Sequence, residues 1–237
     1  MDTPKLHTRR GFVRLAAGLV AGLTPGLALA APETTPPQMT GPYYPQPDQL
    51  ALRPGAWRDN DLTVVPGGVA SALGERMTIG GQVLGTDGRP AAGVTVEIWQ
   101  ANAEGRYLSG KDGRTGRPHD PEFQYFGTCR TDRDGRYVFR TIVPPSYPAG
   151  VIPGWTRPPH IHVRVRGASA APFTTQLYWD DPTDPLRDLH GRLQRRDLLL
   201  KKIKPRKRER LIRPMSLLQG ERHVDFPILL DADTYLD

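Results

Sequence analysis

From residue 76 onward, apolar and polar positions alternate along much of the chain. Seven runs carry the pattern, at 77–86, 93–100, 123–131, 136–143, 160–166, 174–179 and 224–230. A period of two marks a half-buried strand, because successive side chains leave a strand on opposite faces. Between the runs, "GTDGRPAAG" and "TDRDGRY" carry Asp-Gly pairs, which suit tight hairpin connections. Several short strands punctuated by turns predict an all-β protein, an antiparallel β-sandwich with long loops. Helical character is expected only near 184–200, with Pro205 ending anything that runs further. Residues 31–75 are rich in Pro and Gly and show no periodicity. They read as an extended amino-terminal arm lying over a single domain at 76–237.

Composition supports strands and turns over helices, since Gly and Pro number 25 each among 237 residues. The formal charge is +7, and part of it sits in a distinct leader. Residues 1–30 have a basic start, a short Gly-rich apolar stretch, and Ala28-Leu29-Ala30 as a small-residue cleavage site. The pair Arg9-Arg10 resembles a twin-arginine export signal. The expectation is a cleaved signal at 1–30, a periplasmic protein, and no stable membrane anchor once the signal is gone. Four bases and one acid leave with that segment, so the mature chain is only mildly basic. Cys129 is the sole cysteine and cannot form an intrachain disulfide. Stability outside the cytoplasm then rests on the core, a metal or oligomerisation. The basic run "KKIKPRKRER" at 201–210 has no interleaved aromatics for base stacking. It reads as a solvated connection, and no nucleic-acid partner is expected.

Candidate chemistry centres on "RPPHIHVRVRG", which begins at Arg157. His160 and His162 are two residues apart on a predicted strand and so share a face. Such a pair suggests a metal, although two hydrogen-bonded strand histidines are the plainer alternative. Tyr107 in "NAEGRYLSG" and Tyr147 in "VPPSYPAG" lie in loops at strand ends, where functional residues concentrate. Two phenols and two imidazoles make an N2O2 set suited to a hard trivalent cation, because a nearby cation ionises a phenol of ordinary pKa about 10. Zinc prefers Cys, His and carboxylate, and ferrous oxygenases commonly use two His and one carboxylate. Neither preference matches this set.

Five motifs in order, "GPYYP", "GQVLGTDGRPAAGVTVEIWQANAEGRY", "CRTDRDGRYVFRTIVPPSYP", "RPPHIHVRV" and "TTQLYW", resemble the intradiol ring-cleavage dioxygenases. The likeness is closest to the iron-bearing chain of the protocatechuate 3,4-dioxygenases and spans nearly all of the mature chain. It implies a transthyretin-like (prealbumin-like) sandwich and a non-haem Fe(III) ion held by Tyr107, Tyr147, His160 and His162. Tyr147 would be the ligand that leaves when substrate binds. Arg157 would stand beside the substrate and balance its charge, Gln176 would contact the ligands and the bound ring, and Tyr44 would edge the pocket. The implied partners are a small aromatic diol and O2, with a homo-oligomer or pairing with a homologous chain both open. Ala149 follows Tyr147-Pro148 where the protocatechuate enzymes often carry an aromatic residue, which leaves the choice of diol undetermined. Two readings outside catalysis stand beside this one: a sandwich module that binds carbohydrate, peptide or a partner protein, and a metal-storage protein without turnover.

Overall fold

The structure is a computed structural model and describes residues 33–231, apart from 54, 56–57, 110, 113–115, 151 and 168–170. The segment expected to be an export signal, 1–30, lies outside the described residues. A one-turn helix, α1 (Pro47–Leu50), precedes strands β1 (Arg76–Gly85), β2 (Thr95–Trp99), β3 (Phe126–Arg130) and β4 (Arg136–Ile142). The short strands β5 (Tyr147–Pro148) and β6 (Thr156–Arg157) come next, followed by β7 (Ile161–Arg166) and β8 (Phe173–Asp180). Helices α2 (Arg187–Arg196), α3 (Leu198–Lys201) and α4 (Pro205–Arg208) lead to β9 (Ile212–Leu218), β10 (Glu221–Asp225) and β11 (Ile228–Leu230).

The protein is mostly β, as the alternation predicts. In β4, Tyr137, Phe139 and Thr141 point inward while Arg136, Val138 and Arg140 point out. Nine strands form one sheet in the order β11-β1-β10-β9-β8-β7-β2-β3, with β4 paired to β1 off that path, and β5 and β6 form a separate pair. The expectation of an antiparallel architecture needs correction, because the sheet is mixed. β1 pairs in parallel with β10 and β11, and β8 pairs in parallel with β9. Parallel neighbours need a crossover of a dozen or more residues, and the α2–α4 segment supplies one between β8 and β9.

The predicted run at 224–230 is two strands rather than one. Pro227 has no N–H to give to a ladder, and the chain shifts from pairing with Met77–Gly80 to pairing with Val83–Gly85. At this step the Tyr137 hydroxyl donates to the Phe226 carbonyl at 2.6 Å. A Cβ on Gly81 would lie 2.2 Å from that same carbonyl oxygen, so the close approach requires glycine. The expected helix at 184–200 is broken at Asp197, whose backbone is extended and whose carboxylate caps α3.

The main core joins Ile79, Val96, Ile98, Phe139, Val163, Leu177 and Phe226, among others. A second buried cluster gathers Tyr43, Leu50, Trp99, Ala101, Tyr107, Phe126 and Tyr147. Among the described residues no helix is long and apolar enough to cross a membrane.

Candidate metal centre

Alternation in β7 turns Ile161, Val163 and Val165 into the main core and sends His160 and His162 to the opposite face. Their ring centroids are 5.0 Å apart. His162 is flanked in register by Trp99 on β2 and Gln176 on β8. Trp99 stacks on the His162 ring at 4.7 Å with the planes 10° apart, which fixes the imidazole's orientation.

Tyr107 arrives on a turn that Asn102 organises. The Asn102 side-chain oxygen accepts from the backbone N–H of Glu104 and Arg106, and Gly105 between them has φ +75°, a conformation glycine adopts without strain. Asp112 then accepts from the Tyr107 backbone N–H at 2.8 Å. Tyr147 sits opposite Arg157 in the β5–β6 pair, so one small hairpin delivers both side chains.

These elements converge. The Tyr107 and Tyr147 hydroxyl oxygens are 3.1 Å apart, and His160 Nε2 lies 3.3 Å from the first and 3.1 Å from the second. His160 Nδ1 is 2.7 Å from the Pro158 carbonyl oxygen. A carbonyl only accepts, so Nδ1 carries the proton and Nε2 presents its lone pair to the phenols. His162 lies beside this triad, its ring centroid 5.9 Å from that of Tyr107. Burial, and then the charges of Arg157 and Arg164, hold its pKa well below the ordinary histidine value, which keeps the ring neutral. Among the described residues its buried Nδ1 has no hydrogen-bond partner, an exception of the kind a bound ion explains.

The donor set suits a metal. Three donor atoms 3.1–3.3 Å apart have the spacing of ligands that share one ion at roughly 2 Å. Among the described residues no group of three or more His, Cys, Asp or Glu is placed to hold a metal, so the two phenols and two imidazoles are the candidate ligands.

Arg157 is buried beside the triad. Its Nε donates to Asp197 at 2.7 Å, and its Nη2 donates to Gln176 at 2.7 Å and to the Tyr178 hydroxyl at 3.0 Å. Burial alone would lower its pKa, but Tyr178, Tyr147 and Asp197 outweigh that and raise it. Gln176 thus binds Arg157 and the Met39 carbonyl while sitting next to His162. Tyr44 is turned elsewhere. Its hydroxyl donates to the buried Glu97 at 3.0 Å, and Arg164 lies 4.2 Å over its ring. Tyr43 lines the cavity instead, stacked on Tyr107 at 4.9 Å with its hydroxyl donating to the Ala149 carbonyl. Adjacent tyrosines in "GPYYP" offered no signal for which one faces inward. Asp197 and Tyr178 were also not singled out from the sequence, because their role depends on an arginine distant along the chain.

The chain matches the Dioxygenase_C family model, described as Dioxygenase, over residues 39–208. It is 43% identical over 129 residues to the protocatechuate 3,4-dioxygenase beta chain of Burkholderia cepacia, covering 54% of this chain and 54% of that protein. It is 37% identical over 123 residues to catechol 1,2-dioxygenase 1 of Acinetobacter lwoffii, covering 44% and 38%. The matches thus span about half of these curated relatives or less. Among solved structures, the dioxygenase domain of a dioxygenase carbohydrate-binding protein fusion from Streptomyces sp. SirexAA-E is similar with a TM-score of 0.56 and 28% identity, covering 84% of this chain and 99% of that one. The family match over most of the chain and the phenol–imidazole cluster lead to one conclusion: the chain belongs to the intradiol ring-cleavage dioxygenase family.

Proposed function

We propose that this chain is a non-haem Fe(III) intradiol dioxygenase. It would cleave a catechol-type diol between its two hydroxyl-bearing carbons with O2, giving a muconate-type diacid. The observation that carries the reading is the convergence of Tyr107 Oη, Tyr147 Oη and His160 Nε2 within 3.1–3.3 Å, with His162 alongside. Curated relatives named as protocatechuate and catechol dioxygenases support it.

Tyr107, Tyr147, His160 and His162 would hold the iron. Bound there, ferric iron would supply Lewis-acid and one-electron chemistry. Tyr147 lies on a two-residue strand and lines the cavity. It would be the phenol that swings away when a diol arrives, its Oη accepting a proton from one diol hydroxyl. His160 keeps its Nε2 lone pair available through the Nδ1 bond to Pro158. Arg157 stands opposite Tyr147 as a fixed cation, placed to stabilise negative charge that develops on the bound ring.

Residues 1–30 are read as a twin-arginine signal and the mature protein as periplasmic, on the sequence features of that segment. The direct test is oxygen uptake by iron-loaded protein with catechol and protocatechuate, with product identified by its ultraviolet spectrum. Stoichiometric oxygen uptake with diacid formation is expected; absence of ring cleavage across a panel of catechols contradicts the assignment.

A further inference from the structure

A cavity of about 590 Å³ opens onto the donor cluster, with Tyr147, Arg157, His162 and Gln176 at its floor. Cavities of roughly 300–1,000 Å³ hold drug-sized ligands, and a single ring with two hydroxyls fills only a fraction of such a space. The walls are apolar and include Met39, Ala149, Ile152, Trp155, Leu198 and Leu199. Met39, Ile152 and Leu198 are 58%, 44% and 38% exposed, so three large apolar side chains stand in water around one opening. Exposed apolar groups gathered at a concave mouth mark a binding surface. Because this cavity is continuous with the floor, its occupant is part of whatever the floor holds.

Charge narrows the occupant further. Arg157, the cation at the floor, already has its charge matched by Asp197 at 2.7 Å. Among the described residues the other cation lining the cavity is Lys202, exposed at the rim. A carboxylate fixed directly on the ring would be desolvated against apolar walls without gaining an unmatched buried cation.

Resting on the dioxygenase reading above, we infer that the substrate is a catechol bearing an apolar substituent of aryl or short alkyl-chain size, seated in this cavity, in preference to a ring-carboxylated diol. The test compares kcat/KM of the iron-loaded full chain for catechol, protocatechuate, 4-propylcatechol and 4-phenylcatechol. Apolar groups seated in such a pocket are worth about tenfold or more in kcat/KM, so the two substituted diols are expected to exceed both others by at least that factor. Leu199→Trp and Ile152→Trp, which fill the mouth, are expected to lower the ratio of substituted to bare catechol. Preference for protocatechuate, or no advantage of the substituted diols over catechol, overturns the inference and leaves the dioxygenase reading standing.

If no diol is cleaved, that reading falls, and the cavity is judged by binding alone. Calorimetric titration with 4-phenylphenol and 4-hydroxybenzoate, which lack the second hydroxyl, is then expected to show at least tenfold tighter binding of the former. Equal or reversed affinities overturn the inference. A dimer seen in sedimentation that dissociates in Leu198→Asp, with no gain for the substituted ligands, also overturns it by assigning the mouth to a second copy of the chain.

Discussion

Tyr147 meets Tyr107 and His160 at its hydroxyl and faces Arg157 across the β5–β6 pair. Removing only that hydroxyl therefore separates metal holding from turnover. Tyr147→Phe keeps the packing of the ring, and three candidate ligands remain. Iron content by elemental analysis is expected to stay near that of the parent, while oxygen uptake falls by about 10² or more, the usual contribution of a positioned proton acceptor. Undiminished turnover would remove Tyr147 from its role as the departing ligand. At this scale much of the site is legible in sequence, because His160 and His162 share a strand face by period alone and each tyrosine sits inside a short recognisable motif. Tyr44 shows the limit. Two neighbouring phenols in an aperiodic arm look alike, and the choice between them was made by Glu97 and Arg164, which come from strands far along the chain.

Asp197 joins an element to the site. One carboxylate oxygen caps α3 by accepting from the backbone N–H of Leu199 and Leu200, and the other accepts from Arg157. Loss of a cap costs about 1 kcal/mol, whereas stranding a buried partner charge costs about 3–5 kcal/mol. Asp197→Ala is therefore expected to lower Tm by roughly 10 °C, and Asp197→Asn, which can still cap but leaves the Arg157 charge unmatched, by most of that amount. A loss confined to Asp197→Ala in a thermal melt, with Asp197→Asn near the parent, would show that the cap alone matters. In β1, Gly81→Ala forces a Cβ onto the Phe226 carbonyl and is expected to destabilise by about 1–3 kcal/mol in chemical denaturation; a neutral result would show that the β10–β11 step yields freely.

Several elements were hidden from the sequence for physical reasons. β9 carries Pro214 and is mostly exposed, so it lacks the alternation that reveals a strand. The parallel β8–β9 pairing follows from the path of the α2–α4 crossover, and no strand's own pattern records the direction of its neighbour. Asp197 sits within an otherwise helical run, where its partner forty residues away leaves no local trace.

Across the whole molecule, the amino-terminal segment ties the sheet to the site. Thr35 pairs with the Leu229 carbonyl and Gln38 with the Thr174 carbonyl through backbone hydrogen bonds. A Cβ at Gly41 would contact His162 at 3.4 Å, and Tyr43 stacks on Tyr107. A chain that begins at residue 46 is therefore expected to lose iron on dialysis under conditions where a chain beginning at residue 31 retains it. Equal retention would show that the donor cluster is organised without the arm. The absence of alternation predicts an extended arm, and the resemblance places Tyr44 of it at the pocket edge. The one-turn helix α1 interrupts the arm, and the site contacts are made by Gly41 and Tyr43 instead, with partners distant along the chain.

Convergence of two phenols and two imidazoles on one ferric ion is tested most directly by the visible absorption spectrum of the purified, iron-loaded chain. A red-brown tyrosinate-to-iron charge-transfer band is expected, shifting when a catechol is added and vanishing in the Tyr107→Phe, Tyr147→Phe double variant. A folded protein that stays colourless and holds no iron after loading would contradict it.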